Sequence, residues 1–279
     1  MPWAALRRWV ATMAVATVVA AGCASAGLWQ WHRYQARSAA VAVVERNLDA
    51  PAVPIATVLA PGEPVSDEEV WLPVAASGHY VPGSTVLLRN RPVGGAQGFH
   101  ALAGFCVDEG PLTGEVLVVD RGWVPVAADG SSPQAVPPLP VGPISLLVQL
   151  RVNEAATDRR APAGQVQVIN AEAVRAAASP PWSATTLDAY AAVVSENGAG
   201  TGLAALDPPS TDLGPHLSYT FQWAVFAIGS LVGAVILLRR EETPPGAPHE
   251  PARARSGRRS TAEQEEDALI DAQESAADR

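Results

Sequence analysis

Two long stretches without a charged side chain constrain this 279-residue chain more than any other feature. The first runs from Trp9 to Trp31 and the second from Leu217 to Leu238. Each is longer than the roughly 20 apolar residues that an α-helix needs to cross about 30 Å of hydrocarbon. The sequence therefore predicts membrane-spanning helices at residues 9–31 and 216–238.

Arginines at the ends of these stretches indicate how the two predicted helices are oriented in the membrane. Arg239 and Arg240 follow the second stretch, and Arg7 and Arg8 precede the first. Positive residues are typical of the cytoplasmic ends of spans, so we predict that residues 1–8 and 239–279 are cytoplasmic. Arg33 and Arg37 at the outer end oppose this orientation, so the first span alone would be ambiguous. Residues 32–215 then form an extracytoplasmic domain.

The first stretch also permits two other interpretations. Ala20-Ala21-Gly22-Cys23 is similar to a lipoprotein cleavage box, and Ala24-Ser25-Ala26 to a signal-peptidase site. Either cleavage would leave the C-terminal helix as the membrane anchor. The apolar stretch continues to Trp31, which is too long for a typical signal segment, so an uncleaved helix is favoured.

Composition excludes several functions. All 19 basic residues are arginine, so lysine-dependent nucleophiles and P-loops are excluded. The net charge of −9 and the pI near 5.0 argue against nucleic-acid binding. Two cysteines, Cys23 and Cys106, are too few for a disulfide framework or a multi-thiolate zinc site.

Between the two spans, short apolar runs alternate with proline- and glycine-rich turns, which predicts a mostly-β (α+β) domain with a small antiparallel sheet or barrel. Two segments are interpreted as helices instead, and the sequence from Thr243 onward as a disordered tail. The predicted strands are Val70–Tyr80, Thr85–Arg91, Phe99–Cys106, Glu115–Val124 and Ile144–Val152, and the predicted helices are Ala171–Ala178 and Leu187–Glu196.

No motif of a known catalytic site is found. The glycines from Gly198 to Gly202 follow a predicted helix rather than a strand, so a flexible linker is a better interpretation than a phosphate loop. His79 and His100 lie in strand-like segments and are interpreted as sheet-face histidines. We therefore predict that the protein is not an enzyme.

Polar and aromatic residues cluster where both spans reach the outer membrane border. At 100° per residue each cluster covers about 100–120° of its helix, and the two faces are expected to meet. Tryptophan and tyrosine also favour the interface without any function, and a border histidine can be a hydrogen-bonding group or an axial haem ligand. The clusters are Trp29, Gln30 and Arg33 in the first span, and His216, Tyr219, Gln222 and Trp223 in the second.

Small residues within the spans predict close helix packing. Gly229 and Gly233 form a Gly-x-x-x-Gly motif, and Gly22 and Ala26 form a matching pair at a similar depth. We expect the spans to pack as an antiparallel hairpin at these residues.

Several short motifs follow one another between residues 26 and 241. They are Gly27-x-Trp29-Gln30-x-x-Arg33, Gly78-His79-Tyr80, Leu87-Leu88-Arg89-Asn90-Arg91-Pro92, Gly98-Phe99-His100, Asp120-Arg121-Gly122-Trp123-Val124-Pro125 and His216-Leu217-Ser218-Tyr219 with Gln222-Trp223. Taken in this order, the motifs resemble those of the surfeit-locus-one family (Surf-one, or Shy, proteins). Asp120 departs from an asparagine that is frequent in the family.

The resemblance implies a bacterial plasma-membrane assembly factor for haem-copper cytochrome c oxidase, which assists haem a delivery to the catalytic subunit. It implies His216 as the haem iron ligand. His32 is a possible second ligand, and Arg33 or Arg121 could pair with propionates. For Arg121 a structural ion pair is the alternative. The implied cofactor site comprises His216, Tyr219, Gln222, Trp223, Trp29 and Arg33.

The implied partners are the oxidase catalytic subunit and haem a biosynthesis proteins. Two alternatives remain at this stage. One is a membrane-tethered scaffold for oxidase subunits that binds no cofactor. The other is a cell-envelope enzyme or sensor.

Overall fold

The structure, a computed structural model, describes residues 3–242, with side-chain surroundings up to Arg240. The tail predicted from Thr243 onward lies outside the described residues. Helix α1 runs over Trp3–Asn47, α2 over Ala171–Ala177 and α3 over His216–Glu242. Both α1 and α3 are long and apolar enough to cross a membrane. Two apolar helices therefore flank a sheet-rich domain, as the sequence predicts.

Eight strands lie between the long helices, and all five predicted strands are confirmed with small shifts at their ends. Strands β1 and β7 are short additions, and β8 replaces a predicted helix. The strands are β1 Val53–Pro54, β2 Pro73–Tyr80, β3 Val86–Leu88, β4 Gly98–Val107, β5 Val116–Pro125, β6 Ile144–Arg151, β7 Gln165–Val166 and β8 Thr186–Glu196.

Five of these strands close into a barrel. The pairing order is β2-β6-β8-β5-β4, and the C-terminal end of β2 also pairs with β4, which completes the ring. Strand β8 runs parallel to β5 and antiparallel to β6. Closure leaves these strands without an open edge, because every strand of the ring has two hydrogen-bonded neighbours.

The barrel interior is apolar. Alternate side chains of each strand point inward, so Leu117 and Val119 of β5 lie inside together with Phe105 of β4. Phe105 contacts the ring of Tyr80 edge-on, with centroids 5.4 Å apart. Burial of such a side chain contributes about 1.5–3 kcal/mol relative to its exposure, which makes this cluster the main stabilising element of the domain.

A second apolar cluster covers the outer face of the barrel. The other side chains of β5, Val116 and Val118, pack here against Val174 of α2 and Trp182. Helix α2 begins where the side chain of Asn170 accepts a hydrogen bond from the backbone N–H of Ala173, an N-terminal cap. The predicted helix at Ala171–Ala178 is therefore confirmed.

The C-terminal end of α1 is tied to the barrel domain. The Asn47 side chain is buried and donates to the carbonyl oxygens of Glu68 and Val70, at 2.7 and 2.9 Å. These bonds fix the loop that precedes β2. Helix α1 continues past the predicted end of the first span at Trp31 without a break.

The predicted helix at Leu187–Glu196 is wrong, since these residues form β8. Leu187, Ala189 and Ala191 are buried in alternation and face the barrel interior, which is the period of a strand. Asp188 accepts a hydrogen bond from the Asn153 side chain. The backbone hydrogen bonds that β8 forms with β5 on one side and β6 on the other outweigh the helix propensity of its alanines.

The glycine-rich segment after β8 begins with a tight turn rather than a flexible linker. Asn197 and Gly198 both have positive φ, 49° and 76°, and Glu196 and Ala199 exchange two backbone hydrogen bonds across them. This is the geometry of a two-residue hairpin turn, for which Asn-Gly is a favoured sequence. The Thr201 hydroxyl then donates to the Arg121 carbonyl oxygen, so the segment is held against the barrel.

The apolar parts of α1 and α3 form a compact unit of their own, residues 3–27 with 221–242. The Ser230 hydroxyl donates to the carbonyl oxygens of Ala227 and Ala16, and both Ala16 and Ala234 are buried. The expectation that the glycine motifs mediate this packing is wrong. A Cβ atom at Gly22, Gly229 or Gly233 would contact nothing within 4 Å, so alanine and serine form the contact instead.

Candidate functional site

His216 is the first residue of α3, and the turn before it is well defined. The Asp212 carboxylate accepts from the backbone N–H of Gly214 at 2.8 Å. The Tyr219 N–H donates to the carbonyl oxygen of Pro215 at 3.1 Å, and the Thr220 hydroxyl donates to that of His216 at 2.9 Å. The imidazole is therefore carried on a backbone that is fixed on both sides.

Gln30 of α1 contacts this imidazole. Its Oε1 lies 2.8 Å from Nδ1 of His216, although 186 positions separate the two residues in sequence. Both side chains are half-buried. The expected meeting of the two polar faces thus takes place through one hydrogen bond between Gln30 and His216.

This hydrogen bond sets the tautomer of His216. An amide oxygen accepts hydrogen bonds and has no proton to donate, so Nδ1 of the imidazole carries the proton. Nε2 of the neutral ring then keeps its lone pair, which is the form that binds a metal ion. One ring nitrogen of His216 is therefore held by Gln30.

Gly214 lies beside the imidazole of His216. Its φ is +68°, a backbone conformation that glycine adopts readily and other residues adopt rarely. A Cβ atom built there would lie 3.7 Å from Nε2 of His216, which is an ordinary van der Waals contact. The backbone of the turn, rather than the space around the imidazole, therefore favours glycine at position 214.

Arg37 positions the segment that carries His216. Its guanidinium donates to the carbonyl oxygens of Asp212 and Ser210, at 2.9 and 2.6 Å. Gln30 and Arg37 are seven residues apart on α1, so they lie on the same helix face two turns apart. Sequence reasoning missed this role, although the seven-residue spacing from Gln30 was a usable signal.

The other predicted site residues near this border are exposed. Trp29 is 59% exposed and Tyr219 is 44% exposed, and Arg33 and the possible second ligand His32 are exposed on α1. They present aromatic rings and a guanidinium to the surroundings.

Gln222 and Trp223 lie further along α3, within the apolar unit. Gln222 is exposed, and Trp223 packs edge-on against Phe226 with ring centroids 5.9 Å apart. Their predicted role in cofactor binding stays a prediction.

Arg121 is a structural residue, and the idea that it pairs with a propionate is wrong. Its side chain is 2% exposed and donates to the Glu196 carboxylate through Nε at 2.9 Å. The Tyr80 hydroxyl donates to the same carboxylate at 2.5 Å, and the guanidinium lies over the Tyr80 ring. Burial and the neighbouring Glu196 strongly raise the pKa of Tyr80. These three residues form a satisfied network inside the barrel.

His100 and Asp120 form a second buried pair, on the opposite face of β5. Nδ1 of His100 lies 2.7 Å from the Asp120 carboxylate, whose other oxygen accepts from the Gly122 N–H. Within the described residues, the buried Nε2 of His100 has no hydrogen-bond partner. The carboxylate at position 120 thus orients both His100 and the backbone at Gly122.

The glycine of the Gly98-Phe99-His100 motif has a packing role. A Cβ atom at Gly98 would lie 2.3 Å from the indole ring of Trp123, the cross-strand neighbour of His100. The strands approach each other closely here because residue 98 has no side chain. The middle motifs therefore build the barrel, whereas the first and last motifs meet at Gln30 and His216.

Comparisons with known proteins place most of the chain in one family. The sequence model of the SURF1 family matches residues 17–228. Uncharacterised SURF1-like proteins of Mycobacterium bovis and of two strains of Mycobacterium tuberculosis are 32% identical over 225 residues, which is 77% of this chain and 79% of each relative. The matched region includes both ends of the Gln30–His216 contact.

Proposed function

The chain belongs to the SURF1 family, and we propose that it is an assembly factor for haem-copper cytochrome c oxidase that binds haem a and assists its delivery to the catalytic subunit. In this proposal the protein is a carrier and not an enzyme. Haem a is its cargo. The proposed partners are the oxidase catalytic subunit and the proteins that make haem a.

The observation that carries the proposal is the hydrogen bond between Gln30 and His216. Histidines that bind metal usually donate their other ring N–H to an oxygen acceptor, which fixes the tautomer and raises the basicity of the ligating nitrogen. Gln30 supplies this acceptor at 2.8 Å.

Three exposed side chains close to Gln30 or His216 in sequence support the proposal of a porphyrin ligand. Trp29 and Tyr219 are exposed aromatic side chains, which offer apolar surface to a macrocycle. Arg33 is an exposed guanidinium that can bind a propionate carboxylate through two hydrogen bonds. In the proposed carrier, His216 binds the iron and Arg33 binds a propionate.

We further propose that α1 and α3 span the bacterial plasma membrane with both termini in the cytoplasm. Helix α3 has 27 residues, which is about 40 Å at 1.5 Å per residue and exceeds the hydrocarbon thickness. Arg7 and Arg8 in α1, and Arg239 and Arg240 in α3, support the orientation. The barrel domain is then extracytoplasmic.

The test is an absorption spectrum of the detergent-purified protein after co-expression with a haem a biosynthesis pathway. We expect a stoichiometric haem a band that is lost in His216→Ala and kept in His79→Ala, a histidine control in β2 outside the proposed haem site. A wild-type protein that lacks haem a but still co-purifies with oxidase subunits would refute the carrier and favour the cofactor-free scaffold.

A further inference from the structure

Three potential metal ligands converge on the outer face of the barrel, far along the chain from His216. His79 of β2 and Cys106 of β4 are directly opposite each other in the register, and Asp108 follows two residues later on the same face. One ligand atom from each of the three lies within 4.8 Å of the other two. Nδ1 of His79 and the Asp108 carboxylate are 2.8 Å apart.

We propose that His79, Cys106 and Asp108 bind a divalent transition-metal ion of the zinc class. The donor set is one imidazole nitrogen, one sulfur and one carboxylate oxygen, and Zn²⁺ accepts all three in tetrahedral sites. Calcium and magnesium are disfavoured, since they require six or more oxygen ligands. A thiolate further selects borderline-soft metals.

The backbone brings these donors together before any metal binds. A Cβ atom at Gly78 would lie 2.0 Å from the carbonyl oxygen of Cys106, so only glycine lets β2 and β4 approach this closely. The backbone N–H of Asp108 donates to the Ser77 carbonyl oxygen at 2.9 Å, which extends the ladder to the last ligand. The three side chains are therefore carried by paired strands rather than by a loop.

The site is accessible from solvent. The side chains of His79 and Asp108 are 46% and 48% exposed, and Cys106 is half-buried. His79 and Asp108 also line a cavity of about 580 Å³ that is bounded on its other side by residues 139–143. Three protein ligands leave one tetrahedral position for water or a ligand from this cavity, as in open zinc sites.

Cys106 can serve as a metal ligand because its thiol is not tied up in a disulfide. The thiolate form is the ligand, so metal binding requires loss of the thiol proton. The other cysteine, Cys23, lies in the apolar part of α1, and both are free. Metal binding would release the thiol proton and neutralise the negative charge of Asp108.

Co²⁺ titration of the full-length protein in detergent tests the proposal, with an affinity tag that contains no histidine. Tetrahedral Co²⁺ with a thiolate ligand gives a near-ultraviolet charge-transfer band and visible bands. We expect one equivalent of Co²⁺ to produce these bands, and Zn²⁺ to abolish them by displacement. Cys106→Ala should remove the charge-transfer band, and His79→Gln and Asp108→Asn should each weaken Co²⁺ binding at least tenfold.

Cys23→Ser is the matched thiol control and should titrate like the wild type, as should His216→Ala, because this site does not depend on the proposed haem site. Thermal unfolding of each metal-free variant checks that it is folded. The absence of a charge-transfer band in the folded wild-type protein would overturn the proposal. A band that persists in Cys106→Ala, or disappears in Cys23→Ser, would also overturn it.

Discussion

If His216 binds haem iron, its hydrogen bond with Gln30 should contribute to haem a affinity. Gln30→Ala removes the acceptor of the Nδ1 proton but leaves the imidazole, the start of α3 and the Arg37 contacts in place. The ring is then free to rotate and to exchange its tautomer. If His216 is the iron ligand, haem a affinity should fall while binding remains detectable.

The expected loss of haem a affinity follows from the position of Gln30, which contacts the proposed iron ligand rather than the iron itself. Loss of a hydrogen-bond partner of a ligating histidine usually reduces metal affinity about 10- to 100-fold. This range corresponds to roughly 1.4–2.8 kcal/mol of binding free energy. His216→Ala should cost more, because it removes the ligand itself.

The assay is a haem a titration of the purified apoprotein in detergent, followed by absorbance, for the wild type and both variants. Gln30→Glu is the conservative control: it restores an acceptor oxygen, so haem a affinity should return to within a few-fold of the wild type. The reasoning is refuted if Gln30→Ala binds haem a as tightly as the wild type while His216→Ala does not bind.

Further predictions concern the barrel, and unfolding of the detergent-solubilised protein by denaturant, followed by near-ultraviolet circular dichroism, measures each of them. Glu196→Ala leaves Arg121 buried without its counter-ion and should cost roughly 3–5 kcal/mol, whereas Glu172→Ala, in an exposed ion pair, should cost less than about 1 kcal/mol. Gly98→Ala places a methyl group against an indole ring and should cost about 1–3 kcal/mol. Burial raises the pKa of Tyr190 to about 12, so its neutral form stabilises the fold fully below about pH 10, and this contribution is lost as the pH rises toward 12. The Tyr190→Phe variant should lose less stability than the wild type over that interval, and equal losses would contradict the assignment.

Strands whose two faces differ clearly were predictable from the sequence. In β2 the residues alternate between buried and exposed along most of the strand, and turns with proline and glycine mark both ends of several strands. β8 was not predictable in this way. Its three alanines favour a helix locally, and only the hydrogen bonds to two distant strands make it extended. The Asn197-Gly198 hairpin signal was present in the sequence and conflicts with the flexible-linker interpretation of this segment.

The candidate site was predictable as a set of residues but not as a geometry. The helical arcs place Gln30 and His216 on polar faces, yet periodicity alone does not say which atoms touch. The packing of the apolar unit shows the same limit. Glycine spacing permits close approach, but the observed contact uses Ala16 and Ser230, because the rotation of each helix is set by all of its neighbours. The partners of Arg37 could not be predicted, because they are backbone carbonyl oxygens, which any residue type supplies. Its seven-residue spacing from Gln30 indicates only the shared helix face.

The position of β8 governs the order in which the domain can be completed during synthesis. It is the last strand to leave the ribosome, yet it lies between β5 and β6 and supplies the hydrogen-bond partners for one edge of each. Until Thr186–Glu196 is available, the barrel has a gap with two open strand edges, which are templates for aggregation. A nascent chain therefore depends on protection until nearly all of the domain has been translated. Premature termination before Thr186 is accordingly expected to abolish the barrel as a whole, not to leave a shortened one.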